Sequence, residues 1–172
     1  MALAYMEYYT YEDYKKWEGD WELIDGVPHA MSPFALPSHQ FISGRILIQL
    51  NKSLEECKKC FALMESEVKF SETTILRPDV LMKCGELDDI SIVPEIIFEV
   101  VSKGSEKRDE ILKFAIYKQE GVKYYVIVYP DLKKVKVYKL INGEYKLQNI
   151  KDKLQIDDLT CKIDINFNKV WL

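Results

Sequence analysis

The chain has 172 residues, the length of one ordinary domain, and buries roughly two thirds of the surface its unfolded form would expose, so it needs no metal or disulfide merely to fold. Its 48% hydrophobic and 30% charged residues, with only 7 glycines and 6 prolines, exclude the disordered and fibrous classes. Twenty-four Lys and Arg against 28 Asp and Glu give a net charge of −4, which excludes a polycation that coats nucleic acid indiscriminately but not an acidic site inside a basic rim.

No apolar run approaches the roughly 20 residues of a membrane span, and the opening MALAYMEYYTYEDYKKW lacks the basic flank and apolar core of a signal peptide. The expected location is therefore the cytoplasm, with no membrane partner. Thr10 can cap a short helix through TYEDYKKWEG, with Asp13 three residues on and Gly19 as its stop. DWELIDGVPHAM reads as a hairpin turning at Asp25-Gly26. From Ser38 to about Cys57, Phe41, Ile42, Ile46, Leu47, Leu50 and Leu54 recur every three or four residues and predict an amphipathic helix.

Three strands are expected next, in FALMESEVKF, ILRPDVLMK and EIIFEVVS. A helix follows from about Ser105 to Glu120, with Ser105 as cap and Gly121 as stop. Lys103, Lys107, Arg108, Lys113, Lys118 and Lys123 cluster here among Glu106, Asp109 and Glu110, either as a basic rim or as a solvated helix face. VKYYVIVYP suits a strand covered on both faces, and KKVKVYKLINGEYKLQ suits a hairpin turning at Asn142-Gly143. The final segment, ending INFNKVWL, is weakly patterned. With no repeat or linker, residues 1–172 read as a single α/β domain with a mixed sheet and helices on both sides.

Of the four cysteines, Cys57 and Cys60 form a lone C-x-x-C, while Cys84 and Cys161 are isolated. A structural zinc site needs a second ligand pair, and neither His29 nor His39 has a partner at zinc-finger spacing. Reduced, partly buried thiols are the simpler expectation, against a redox or zinc role for the pair.

Two carboxylates interrupt apolar strands: Asp79 within RPDVLM and Glu99 within IIFEVV. Burying an unpaired ionised carboxylate costs several kcal/mol, so a positive partner is expected at each. Strand alternation puts Arg77, Asp79 and Leu81 on one face and Ile97, Glu99 and Val101 on another. If these strands are neighbours, the two carboxylates can share a face, where their repulsion is relieved by a divalent cation such as Mg²⁺ or Mn²⁺. Asp109, Lys113 and Tyr117 recur every four residues on one helix face, making Lys113 a candidate cation near an attacking water; the simpler account is a surface Asp109–Lys113 ion pair. Glu22 shares a strand face with Ile24 and is either solvated or a further acidic ligand. His39 opens a helix, where a cap or an exposed imidazole is the usual explanation.

Taken in order, WELIDGVPHAMSP, a histidine opening the next helix, RPDV, PEIIFEVVS, then Asp109, Lys113, Tyr117 and GVKYYVIVYP resemble the Uma-type family of bacterial proteins, over roughly Tyr11 to Tyr145. That family is classed as restriction-endonuclease-like, within the PD-(D/E)XK nuclease superfamily. The resemblance implies a central mixed sheet flanked by helices and a Mg²⁺ site formed by Asp79 and Glu99, with the Val100 carbonyl completing it and Glu22 as an additional acidic residue. The superfamily's lysine two residues after the glutamate is Val101 here, so E-x-K is broken; the family carries its lysine on the next helix, which matches Lys113. Tyr129 stands where the family has an aspartate before proline.

The leading expectation is a Mg²⁺-dependent (or Mn²⁺-dependent) DNA endonuclease using Asp79, Glu99, Lys113 and Glu22. The alternative is a nuclease-fold module of little or no turnover that binds nucleic acid or a protein. Cutting both strands with one site requires two copies or two visits, so a homodimer is one arrangement this reading admits.

Overall fold

The computed structural model describes residues 7–31 and 36–172, which leaves the last two residues of WELIDGVPHAMSP outside the described residues. A capping box closes the first turn, α1 (Tyr11–Tyr14), where the Asp13 carboxylate accepts from the amide and hydroxyl of Thr10. The expected first helix is thus a single turn. β1 (Trp21–Ile24) and β2 (Val27–Ala30) form the expected hairpin, with Asp25 and Gly26 both at positive φ, as a two-residue type I′ turn requires.

After α2 (Pro37–Ser53) the chain forms β3 (Cys60–Met64), β4 (Val68–Ser71), β5 (Thr74–Leu76), β6 (Val80–Cys84) and β7 (Ile96–Val100). Two of the three runs expected to be single strands are each divided between two sheets. FALMESEVKF breaks at Glu65, at φ 47°, into β3 and β4; ILRPDVLMK breaks at Arg77–Asp79 into β5 and β6. Pro78 has no amide to give a ladder, so the break falls where a strand interior is least tolerated. Asp79 therefore lies just ahead of β6 rather than within a strand.

A π-wound segment, Arg108–Lys113, runs directly into α3 (Phe114–Gln119), and Gly121 at φ 83° ends the helix. β8 (Tyr124–Tyr129), β9 (Lys134–Ile141) and β10 (Glu144–Gln148) follow, the last two joined through Asn142 and Gly143, both at positive φ. The weakly patterned C-terminal segment is a hairpin, β11 (Lys153–Ile156) and β12 (Ile163–Asn166), followed by one 3₁₀ turn.

The central sheet is mixed, in the order β10-β9-β8-β7-β6-β3, with β7 and β8 parallel and the other neighbours antiparallel. A parallel neighbour demands a crossover, and the Arg108–Gln119 helix supplies it. Every residue of β8 is buried, because both faces of the sheet are covered. On one face Ile42, Ile46 and Leu50 of α2, with Leu154, Ile156, Ile163 and Ile165 of the C-terminal hairpin, pack on Met82, Phe98 and Val126. On the other, Tyr117, Phe114 and Leu112 pack on Ile97, Tyr125 and Ile127.

That second face also carries a separate sheet, β2-β1-β5-β4, whose Ile24, Val68 and Leu76 join the same core. The chain passes from the central sheet to this one at Glu65 and returns at Asp79, and the Glu65 amide donates to the Asp79 carbonyl at 3.2 Å. The two crossings are thereby fastened at one point, at the ends of β6 and β7.

Ile46 has no exposed surface, whereas Ile48 on the same helix is 64% exposed. Ile46→Ala is expected to lower unfolding free energy by about 2–5 kcal/mol and Ile48→Ala by less than about 0.5 kcal/mol, compared by urea denaturation.

Candidate active site

Alternation along β1 turns Leu23 toward Tyr14 and Ile75, and Glu22 and Ile24 toward the central sheet. Glu22 is only 1% exposed. Its Oε1 accepts from the Arg77 backbone amide at 3.0 Å and lies 3.1 Å from Lys113 Nζ. Its Oε2 is buried without a hydrogen-bond partner among the described residues, with the Arg108 guanidinium 3.8 Å away.

Glu99, next to the last residue of β7, lies on the face of Ile97, opposite the face of Phe98 and Val100. Lys113 Nζ donates to its Oε1 at 3.0 Å and the Tyr117 hydroxyl to the same oxygen at 2.7 Å. The spacing of Asp109, Lys113 and Tyr117 does bring all three inward, since each is buried. The surface Asp109–Lys113 ion pair is not what forms: the ammonium lies between Glu99 and Glu22, and the Asp109 carboxylate accepts from the Ser105 hydroxyl at 2.8 Å. Val101, in the place of the missing E-x-K lysine, packs in the apolar core beside the helix. Tyr129 hydrogen-bonds Glu110, a residue outside this set of contacts.

β6 and β7 are antiparallel neighbours with Val80 opposite Phe98, so Asp79 and Glu99 fall one register step beyond the last recorded pairs. Asp79 Oδ2 accepts from the Val100 amide at 2.6 Å and lies 3.1 Å from His39 Nε2. The histidine opening α2 is thus a partner of Asp79 rather than a cap or an exposed imidazole. Sequence spacing could not find that contact, because 40 residues and a change of element separate the two. Arg108 was likewise visible only as one of several basic residues.

Charge is unevenly matched. Among the described residues, Glu22, Asp79, Glu99 and Asp109 face the permanent cations Lys113 and Arg108, with the His39 imidazole against Asp79 and His29 opposite Glu22. Burial raises the Glu99 carboxyl well above its ordinary range, with Asp79, Asp109 and Glu22 pushing the same way and Lys113 opposing. Burial likewise raises Asp109 to about 6, against the pull of Lys113 and Ser105. Burial pulls the Lys113 pKa down, but Glu99, Glu22 and Asp109 outweigh it, so its pKa rises and the ammonium stays charged. For His39, burial is outweighed by Asp79 and by the Val100 carbonyl, so its pKa rises.

The donor chemistry fits a hard divalent cation. In each of Glu22, Asp79 and Glu99, one oxygen is held by the protein, while the other accepts no hydrogen bond from the described residues. No three His, Asp or Glu groups of this site bring ligand atoms within 4.8 Å of one another among the described residues.

A family model described as "Uma2: Putative restriction endonuclease" matches residues 7–166, and the chain belongs to that family. A crystal structure of "a putative nuclease belonging to DUF820" from Anabaena variabilis superposes with a TM-score of 0.74 at 15% identity, over 94% of this chain and 97% of the other. The fold is the restriction-endonuclease-like α/β fold. None of the curated proteins matches the chain.

The raised Asp109 carboxyl carries a pH signature. Its folded-state pKa of about 6 exceeds the ordinary 3.8, so its contribution to stability is full below about pH 3.8 and is lost as pH rises through about 6. Asp109→Asn removes that loss. Relative to wild type, the variant is expected to gain up to about 3 kcal/mol between pH 4 and pH 7, read from urea midpoints at each pH. A pH-independent difference between the two proteins would contradict the assignment.

Proposed function

We propose that the chain is a Mg²⁺-dependent or Mn²⁺-dependent DNA endonuclease that hydrolyses phosphodiester bonds. The observation that carries this reading is the buried Lys113 ammonium, 3.0 Å from Glu99 and 3.1 Å from Glu22, beside an acidic set whose negative charge exceeds its fixed cations. Family membership supports the nuclease class.

In this reading Asp79, Glu99 and the Val100 carbonyl hold the ion. When bound, the ion polarises a phosphoryl oxygen and lowers the pKa of a water. Lys113 supplies the positive charge that E-x-K nucleases place two residues after the glutamate, and reaches the same carboxylate from the crossover helix. Tyr117 fixes which Glu99 oxygen faces Lys113 by occupying Oε1 with its hydroxyl. His39 and the Val100 amide hold Asp79 Oδ2, which fixes the orientation of its second oxygen. Glu22 keeps the ammonium from turning away, since its Oε1 is itself held by the Arg77 amide.

One observation favours a nuclease-fold module of little turnover: Lys113 is already engaged by two carboxylates, so catalysis requires one of them to yield. Cleavage assays decide between the readings. Purified protein is expected to nick or cut plasmid DNA only with Mg²⁺ or Mn²⁺, and Asp79→Ala and Glu99→Gln are expected to abolish cutting. Lys113→Met is expected to lower the rate by roughly 10²–10³-fold, the scale for removing one charge-stabilising donor. Circular dichroism checks that each variant folds. DNA binding without metal-dependent cleavage supports the module, and undiminished cutting by Asp79→Ala exposes a contaminant.

A further inference from the structure

All four cysteines of the chain meet at one place, at the end of the sheet opposite the carboxylates. Cys57 lies between α2 and β3, Cys60 opens β3, Cys84 closes β6 and Cys161 lies in the turn between β11 and β12. In the structure Cys57 is bonded to Cys161 and Cys60 to Cys84, so the expectation of four reduced thiols does not hold and the C-x-x-C residues do not pair with each other. The two bonds are also side by side: the sulfurs of Cys57, Cys60 and Cys161 all lie within 4.8 Å of one another, and Cys60 is bonded to Cys84. Two independent cross-links have no need to touch.

We propose that, in the reduced protein, these four thiolates bind one structural Zn²⁺. The second ligand pair that the sequence lacks at zinc-finger spacing is supplied by folding. Antiparallel pairing of β3 with β6 sets Cys84 directly opposite Cys60, and packing of the β11–β12 hairpin on α2 brings in Cys161 from 104 residues away. Zinc–sulfur bonds of about 2.3 Å in a tetrahedron place sulfurs about 3.8 Å apart, so once the disulfides are reduced the bonded pairs must separate and Cys84, which neighbours only Cys60 of the other three sulfurs, must move in toward Cys57 and Cys161. The C-x-x-C spacing of Cys57 and Cys60 is that of a zinc knuckle.

Glu95 also approaches, with Oε2 3.7 Å from Cys84 Sγ, but its carboxylate is already committed to Lys123 Nζ at 2.6 Å and to the amide and hydroxyl of Thr160, both at 2.9 Å. It is a neighbour of the sulfurs, not a ligand. The site fastens the C-terminal hairpin to the central sheet, and a length of strand of roughly 17 Å separates it from Asp79. In chemical terms, each S–S bond takes two electrons and two protons from a dithiol, which becomes a cyclic disulfide. The four thiols then release four protons as one Zn²⁺ binds.

Reduction with a dithiol under metal-free conditions, followed by Co²⁺ and then Zn²⁺ titration of the intact chain, tests this. The expected result is one ion per chain, thiolate-to-cobalt charge-transfer and tetrahedral ligand-field bands that Zn²⁺ displaces, and protection of all four cysteines from alkylation. Zinc should also raise the unfolding temperature of the reduced chain, a readout independent of activity. Cys161→Ser should weaken Zn²⁺ binding by more than the roughly 10–100-fold that losing an outer-shell partner costs. Wild-type protein that keeps both disulfides in the dithiol, or that is reduced and takes up no stoichiometric metal, overturns the proposal. So does cobalt binding that Cys161→Ser leaves unchanged.

Discussion

The ammonium of Lys113, buried between Glu99 and Glu22, is the contact on which the arrangement of the molecule depends. A lone buried ammonium costs several kcal/mol, and so does each lone buried carboxylate, so none of the three is tolerable unless the elements carrying them dock together. Those elements are the small sheet through Glu22, the central sheet through Glu99 and the crossover helix through Lys113. The contact need not add net stability over an apolar core. What it does is make docking specific, because a small sheet displaced by one register step would turn Glu22 away and leave the ammonium short of a partner.

The same requirement explains the local irregularities around the site. Glu65 takes a left-handed backbone, Arg77–Asp79 interrupts a strand, and the helix is π-wound from Arg108 to Lys113. Each lies where the chain changes sheet or carries a charged side chain inward. Single π turns concentrate at functional sites. The chain is regular where it only packs, as along β8 and α2, and irregular where polar groups must converge.

This division also accounts for what could be read from the sequence. The helical period of α2, the two Asx-Gly turns and the uninterrupted apolar run of β8 are local signals and predict their elements closely. Strand and helix periods put Glu99, Lys113 and Tyr117 on definite faces but left a surface Asp109–Lys113 pair as the simpler account, and Asp79 lies in a strand break where no period applies; only the family resemblance grouped the four. The second sheet was not legible: β3 with β4, and β5 with β6, are contiguous in sequence, and which sheet a strand joins is decided by long-range packing. The Asp79–His39 contact and the convergence of Cys84 and Cys161 on Cys57 and Cys60 are invisible for the same reason. In the C-terminal hairpin, Leu154 and Ile156 and then Ile163 and Ile165 alternate correctly, but over runs too short to stand out.

The two ends of β6 are chemically opposite. Asp79, ahead of its first residue, belongs to a set of oxygen donors with excess negative charge, while Cys84, its last residue, belongs to a set of sulfurs. Hard oxygen donors suit Mg²⁺ and thiolates suit Zn²⁺, so selectivity between the two proposed ions would follow from ligand type rather than affinity alone. If both proposed ions bind, separation along one strand would keep the two sites apart. Cys84 pairs with β3 at one end of the ladder and Val80, next to Asp79, pairs with β3 and β7 at the other. Whatever clamps the cysteine end therefore holds the register that presents Asp79 to Glu99.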